Sequence, residues 1–252
     1  MNVRRTPVAM LLTAILALGL SLGSMLAPSS AQATTTSTSV GKTGLHTAYK
    51  ALYKQGSSGI GVRRVQARLK ERRIYGGRVT GNYGSKTAGA VKIFQRNQHL
   101  AVTGKVNQRT LDRLRSMTHT PTDAKLYNLH RNCVTSGRVL CVDKTDRRMR
   151  YVRKGHIVRS IDARFGCSNN KSRQGTFKVY RKSRNHVSSI YHTPMPYAMF
   201  FSGGQAVHYS SDFAARGYNG CSHGCVNVRN KSSIRWVFDQ IRINDRVVVY
   251  RS

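Results

Sequence analysis

Arg138-Val139-Leu140-Cys141-Val142, followed by Arg148-Met149-Arg150-Tyr151-Val152, decides the class of the larger part of this chain. The second run alternates charged and apolar residues, the period of two of a pleated strand with one face inward. Strand-like runs return at Ile157 to Ile161, Thr176 to Tyr180, Ala198 to Phe201 and Arg246 to Tyr250. One helical pattern follows, from about Lys231 to Ile241, with Ile234, Val237, Phe238 and Ile241 inward. Many short strands with a single late helix predict a mainly β domain of sandwich or barrel type over residues 126–252.

Upstream the period is that of a helix. Val62, Val65 and Leu69 form one apolar stripe. Gly76-Gly77 and Gly81-Asn82-Tyr83-Gly84 make a turn-rich connector. Ser85 is placed to cap a second helix with Ala88, Val91 and Phe94 inward. Gly104 breaks that helix, and a third short one carries Leu111 and Leu114. Residues 54–117 therefore predict a small three-helix bundle with a marginal core. Thr118 to Lys125 holds Pro121 and little apolar content, and residues 118–125 read as a linker. The whole is a multidomain α+β chain.

The first residues are a short basic region ending at Arg4-Arg5, then an uncharged apolar stretch from Val8 to Leu26, then Pro28. Ala31 and Ala33 give the A-x-A pattern of a secretory cleavage site, so residues 1–33 read as a signal peptide cut after Ala33. No second stretch is long and apolar enough to span a bilayer, so no stable transmembrane span is expected after cleavage. Residues 34–53 begin Thr/Ser-rich and read as a mobile lead-in.

Of 252 residues, 43 are Lys or Arg and 9 are Asp or Glu, a net charge of +34. That excess sets the chain apart from ordinary cytosolic metabolic enzymes and draws it to polyanions. It is not a tail, since the bundle carries +13 and the β domain +17. No nucleic-acid recognition motif is present, and the aromatics do not interleave with the basic residues as a stacking platform would. No specific nucleic-acid partner is expected. The spread of charge suits an anionic wall polymer.

Chemistry concentrates in His208-Tyr209-Ser210 and Gly217-Tyr218-Asn219-Gly220-Cys221-Ser222-His223-Gly224-Cys225-Val226-Asn227. A thiol needs a base or a positive environment to act as a nucleophile. His208, 17 residues before Cys225, and His223 are both candidates. An imidazole that takes the thiol proton can return it to a leaving amine. Gly224 admits a substrate carbonyl and frees backbone N–H groups for an oxyanion. Two other readings stand beside this one. Cys221, His223, Cys225 and His208 are zinc-type ligands, although C-x-H-x-C is not the usual spacing. Cys221 and Cys225 are also close enough in sequence for a tight disulfide.

His208, the 17-residue step and Ser222-His223-Gly224-Cys225-Val226-Asn227 resemble the signature of the L,D-transpeptidase family, whose catalytic domain is also called YkuD-like. The resemblance covers about Leu126 to Ser252. Val62 to Leu69, Val79 to Thr87, Ala90 to Gln95 and Leu100 to Val106 resemble the three-helix peptidoglycan-binding domain of bacterial wall enzymes. By position, the family likeness implies Cys225 as nucleophile and His208 as general base, oriented by the backbone carbonyl of Tyr209. Family members usually have Ser or Gly where Tyr209 stands. Gly224 and Cys225 would supply the oxyanion N–H groups, with His223 and Ser222 supporting the loop and Asn227 touching substrate. The family's substrate-contacting Ser-Gly is matched by Ser202-Gly203-Gly204, with one glycine more. Arg229 is a possible carboxylate partner, though a solvated arginine is the plainer reading.

Setting Cys225 aside leaves Cys133, Cys141, Cys167 and Cys221, which can pair in three ways. We expect Cys133–Cys141, and Cys167–Cys221 bracing the catalytic loop. The implied reaction is thioester formation on Cys225 at the L,D bond before the terminal D-Ala of a tetrapeptide stem. Transfer to a diamino-acid amine then gives a 3→3 cross-link. No metal or organic cofactor is implied, and penem-type β-lactams are implied inhibitors. The partners are the stem peptides and glycan of the wall, and the location is secreted and wall-associated. Two alternatives remain: an L,D-carboxypeptidase or other wall hydrolase on the same residues, and a non-enzymatic basic wall-binding protein.

Overall fold

The structure is a computed structural model that describes residues 50–252. The expected signal peptide, its cleavage site and most of the lead-in lie outside the described residues. Among those described, no helix is long and apolar enough to cross a membrane.

The apolar stripes of the first part fold as their spacing requires. Helix α1 (Ile60–Glu71) buries Val62, Val65 and Leu69. Helix α2 (Ser85–Asn97) buries Ala88, Val91 and Phe94, and α3 (Gln108–Ser116) buries Leu111 and Leu114. These side chains form one core with Tyr75, Tyr83 and Val106. Ser85 does not cap α2; Gly84 holds the cap position, with no side-chain hydrogen bond, and Ser85 is the first helical residue. Asn107 does cap α3, accepting from the Thr110 N–H at 2.8 Å. Two short strands, β1 (Ala51–Tyr53) and β2 (Val106–Asn107), pair antiparallel across the bundle. Residues 51–53 are therefore not part of a mobile lead-in.

Two buried glutamines hold the bundle's loops. Gln66 Oε1 accepts the Gly81 N–H at 2.9 Å, and its Nε2 donates to Asn82 O and Thr87 Oγ1 at 2.9 and 3.0 Å. Gln95 Oε1 accepts the Thr103 and Gly104 N–H groups at 3.0 and 2.9 Å, while Nε2 donates to Lys105 O at 2.8 Å. Each amide thus satisfies the backbone of a tight turn, at Gly81 and at Gly104, where φ is positive.

The expected linker, residues 118–125, is tied to α1 at both ends: Arg68 Nη1 donates to Thr118 O and Lys125 Nζ pairs with Glu71, both at 3.0 Å. Helix α4 (Asp123–Tyr127) places Leu126 against Ala67 and Val79. Arg63 Nη1 donates to the carbonyls of Val79 and Leu126 at 2.9 and 3.0 Å. The Tyr127 ring lies under the guanidinium groups of Arg63 and Arg150, and Asp146 pairs with both Arg78 and Arg150. The apolar residues of this contact on α4, Leu126 and Tyr127, are too few for a periodic signal.

The second part is one nine-stranded mixed sheet. Its strands are β3 (Arg138–Asp143), β4 (Arg148–Arg153), β5 (His156–Arg164), β6 (Gly175–Lys178), β7 (Arg181–Val187), β8 (Pro194–Ser202), β9 (Gln205–Tyr209), β10 (Val226–Val228) and β11 (Arg246–Tyr250). The order is β6-β11-β3-β4-β5-β10-β9-β8-β7. Only β11/β3 and β10/β9 are parallel among these pairs. The sheet curls until its ends approach: the Phe177 and Phe201 rings lie 5.4 Å apart, and the Tyr180 N–H donates to Phe200 O at 3.0 Å. Inside the curl, helix α6 (Lys231–Gln240) buries Ile234, Val237 and Phe238 against Leu140, Met149, Ile161, Val207 and Val226. A short helix, α5 (Ser211–Arg216), follows β9, and a 3-10 turn at Arg131–Cys133 is tied to β3 by the Cys133–Cys141 disulfide.

The buried glutamines give a test of the bundle. Gln95→Leu keeps the size of the side chain but strands the Thr103 and Gly104 N–H groups, which costs about 2–4 kcal/mol. Urea unfolding followed by far-UV circular dichroism should show that loss; a midpoint unchanged from the parent would refute the role given to Gln95.

Candidate active site

The site is built on the parallel pairing of β9 with β10. Its register sets Val226 beside Val207, Asn227 beside His208 and Val228 beside Tyr209. Val207, Val226 and Val228 point into the main core. Strand side chains alternate, so Ala206, His208, Cys225 and Asn227 share the other face. There Cys225 packs against Met195, Ala198, Phe200 and Ala206. Its Sγ accepts the Ala206 N–H at 3.4 Å.

His208 is buried, and its Nδ1 lies 2.6 Å from the carbonyl oxygen of Tyr209. A carbonyl only accepts, so Nδ1 carries the proton and Nε2 keeps its lone pair. Burial lowers the imidazole to about 4 from its ordinary 6.5, the Tyr209 carbonyl opposes this, and nearby His186 adds a little to the fall. Burial also raises the Cys225 thiol, against a smaller lowering by the Ala206 N–H. Both groups therefore rest neutral near pH 7. Sign follows for stability too: the buried neutral imidazole favours the folded state above pH 6.5, and that contribution is lost as pH falls toward 4.

The loop before Cys225 is held by hydroxyls and a disulfide. Ser222 Oγ donates to Cys225 O at 2.5 Å and accepts the Gly224 N–H at 3.3 Å. Ser172 Oγ donates to the same carbonyl at 3.3 Å and accepts the Gly166 N–H at 3.1 Å. The Ser222 N–H donates to Phe165 O at 3.1 Å, and Cys167 is bonded to Cys221 with a Cα separation of 5.6 Å. Gly224 has φ +106°, and a Cβ there would stand 2.6 Å from Gln205 Nε2. Gly166 leaves no room either, because a Cβ would run into Asn170 O. The Gly224 N–H, expected to face an oxyanion, is thus engaged by Ser222.

The other expected residues surround this centre. The His223 ring stacks on Tyr191 at 4.1 Å and 13°. Asn227 is buried, and its Oδ1 has no partner among the described residues. Tyr209 contributes its carbonyl, while its ring packs against the main core rather than closing over the thiol. Ser202-Gly203-Gly204 form the β8–β9 turn with φ of +47° and +84° at the glycines. Ser202 Oγ accepts Arg173 Nη1 at 3.1 Å, and the Gly204 N–H donates to Tyr180 Oη at 3.3 Å. Arg229 lies elsewhere, paired with Asp162. Cys221 is taken up by Cys167, which removes it from both the zinc set and a bond to Cys225. No group of three or more His, Cys, Asp or Glu among the described residues could hold a metal ion.

Sequence reasoning missed Gly166, Ser172, Arg173 and Gln205. Gln205 Oε1 accepts the Arg173 N–H at 2.9 Å and Nε2 donates to Lys171 O at 3.1 Å, so it joins the 167–173 loop to the site. All four act across sequence separations that no local pattern marks.

Residues 137–249 match the family model of the L,D-transpeptidase catalytic domain, and residues 58–114 match that of a peptidoglycan binding domain. No curated protein sequence matches the chain. Among solved structures, the chain is similar to an L,D-transpeptidase from Stackebrandtia nassauensis at 23% identity and TM-score 0.44, over 79% of this chain and 94% of that one. It is similar to an L,D-transpeptidase from Xylanimonas cellulosilytica at 28% identity and TM-score 0.42, over 80% and 98%. It is also similar to L,D-transpeptidase 3 from Mycobacterium tuberculosis, in complex with a faropenem-derived adduct, at 18% identity and TM-score 0.41, over 46% and 60%. Residues 137–249 are an L,D-transpeptidase catalytic domain, and a peptidoglycan-binding domain stands ahead of it at residues 58–114.

Proposed function

We propose that this protein is an exported cysteine L,D-transpeptidase that forms 3→3 cross-links in peptidoglycan, with Cys225 as nucleophile and His208 as base. The observation that carries this reading is the His208 Nδ1 bond to Tyr209 O, which leaves Nε2 unprotonated beside the strand that presents Cys225. The peptidoglycan-binding domain and the two disulfides fit work outside the cytoplasm at the wall. On this reading residues 1–33 are removed on export, residues 54–117 hold the glycan and residues 126–252 carry the chemistry.

His208 Nε2 takes the thiol proton as Cys225 Sγ bonds to the carbonyl carbon of the stem's third residue. The N–H groups of Cys225 and Gly224 receive the oxyanion, the latter giving up its 3.3 Å bond to Ser222 Oγ. The C–N bond breaks, the proton on Nε2 goes to the departing D-Ala nitrogen, and a thioester remains. A neutral diamino-acid amine attacks the thioester and gives its proton to Nε2. The C–S bond breaks and that proton returns to Cys225. Because thiol and imidazole rest neutral, deprotonation accompanies attack instead of preceding it. Ser202, Gly203, Gly204 and Asn227 line the stem's path, and His223 holds the loop through its stack on Tyr191. Penem-type β-lactams are opened by the same thiol.

Incubation with a purified tetrapeptide muropeptide should release D-Ala and give cross-linked dimers by mass. Trimmed monomers without dimers would instead establish a carboxypeptidase. Cys225→Ala should abolish both products and prevent the mass adduct formed with a carbapenem, while His208→Ala should lower kcat by about 10²–10⁴-fold. The acid limb of kcat/KM should lie near pH 4, where His208 protonates, rather than near 6.5. A limb at 6.5 or above would refute the neutral resting pair.

A further inference from the structure

A cavity of about 380 Å³ has Lys144, Arg147, Arg164, Lys171 and Arg251 in its wall, with no acidic residue and neither Cys225 nor His208 among its lining. Arg164 is occupied, pairing with Asp212 and donating to Gly217 O and Asn219 O at 3.1 and 3.2 Å. The other four pair with no carboxylate among the described residues, and the acids nearby are already bound. Asp162 holds Arg148 and Arg229, Asp212 holds Arg164 and Arg216, and Asp143 and Asp146 face Arg150. Arg147 is propped over the Tyr218 ring at 4.8 Å, and Lys144 Nζ donates to Ser172 O at 3.0 Å. Burial, then the charges of Arg251 and Lys171, depress the Lys144 ammonium, as expected where like charges converge without a counterion.

Four unpaired cations around one hollow are an unfavourable arrangement unless an anion enters it. They exceed the charge of one phosphate, about −2 near neutral pH, and the volume exceeds what one oxyanion fills. A chain of phosphodiesters, with one negative charge per unit, matches both. We propose that this cavity binds the phosphate oxyanions of a phosphodiester wall polymer and so anchors that polymer beside the catalytic loop. Gly166, Cys167 and Gly220 also line the cavity, so the polymer would rest against the backbone braced by the Cys167–Cys221 disulfide, in the loop that leads to Cys225. The site stands apart from the thiol chemistry and holds whether or not the transfer reaction is as proposed.

Calorimetry compares inorganic phosphate with a glycerol-phosphate oligomer, using the protein, its Lys171→Gln/Arg251→Gln variant, and an Arg64→Gln/Arg96→Gln variant with the same charge change on the bundle. The oligomer should bind more tightly than free phosphate. The cavity variant should weaken it about tenfold or more, as expected on losing charge-assisted contacts, and the bundle variant less than about twofold. Equal losses in the two variants would reduce the effect to net charge and overturn the proposal. Oligomer binding no tighter than free phosphate would overturn it as well. Circular dichroism of both variants, expected to match the parent, ties a loss of binding to the cavity rather than to unfolding.

Discussion

A three-residue parallel ladder between β9 and β10 is the constraint on which the site depends. Parallel strands are joined by long crossings, and here the crossing contains α5 and the catalytic loop. The ladder brings the end of that crossing back beside its start. It puts an imidazole and a thiol 17 residues apart on one face of one sheet. A slip of one residue would turn Cys225 into the main core and Val226 outward. The apolar residues Val226 and Val228, buried against Val207 and α6, therefore hold the register of the chemistry.

What the sequence made legible follows from the strength of its periods. The stripes of α1, α2 and α6 and the runs of β3, β4 and β11 repeat long enough to be read. Strand β7, Arg181–Val187, carries almost no apolar residues. It packs through Lys182, whose Nζ donates to Phe238 O at 2.6 Å near the end of α6. Strand β10 has three residues and α4 five, too few for any period to show. At the site, Cys225 and His208 stood out because their spacing is local. Ser172 did not, since one serine in a polar loop looks like any other until the fold sets it against the Cys225 carbonyl.

The scarce acids are spent on geometry. Asp162 gathers Arg148 and Arg229, Asp245 fixes Arg138 with bonds of 2.7 and 3.1 Å, and Asp146 joins Arg78 to Arg150 across the contact with the bundle. Each partly buried carboxylate organises cations that would otherwise repel. The excess positive charge is left on the surface and in the cavity lined by Lys144, Arg147, Lys171 and Arg251, where it is available to ligands.

The Cys167–Cys221 bond also bears on how the molecule matures. Cys221 has a nearer thiol in sequence, Cys225, while Cys167 is 54 residues away. In an oxidising compartment the unfolded chain meets the short loop more often, because closing a short loop costs less entropy. Such a bond would tie up Cys225, the proposed nucleophile, in a dead-end isomer. In the native pairing Phe165 and Gly166, just past β5, are bonded to Ser222, which sets Cys167 beside Cys221. With Cys225 as the proposed nucleophile, forming the Cys167–Cys221 bond is also what leaves that thiol free, and a thiol–disulfide isomerase acting on this chain would then act as its activator.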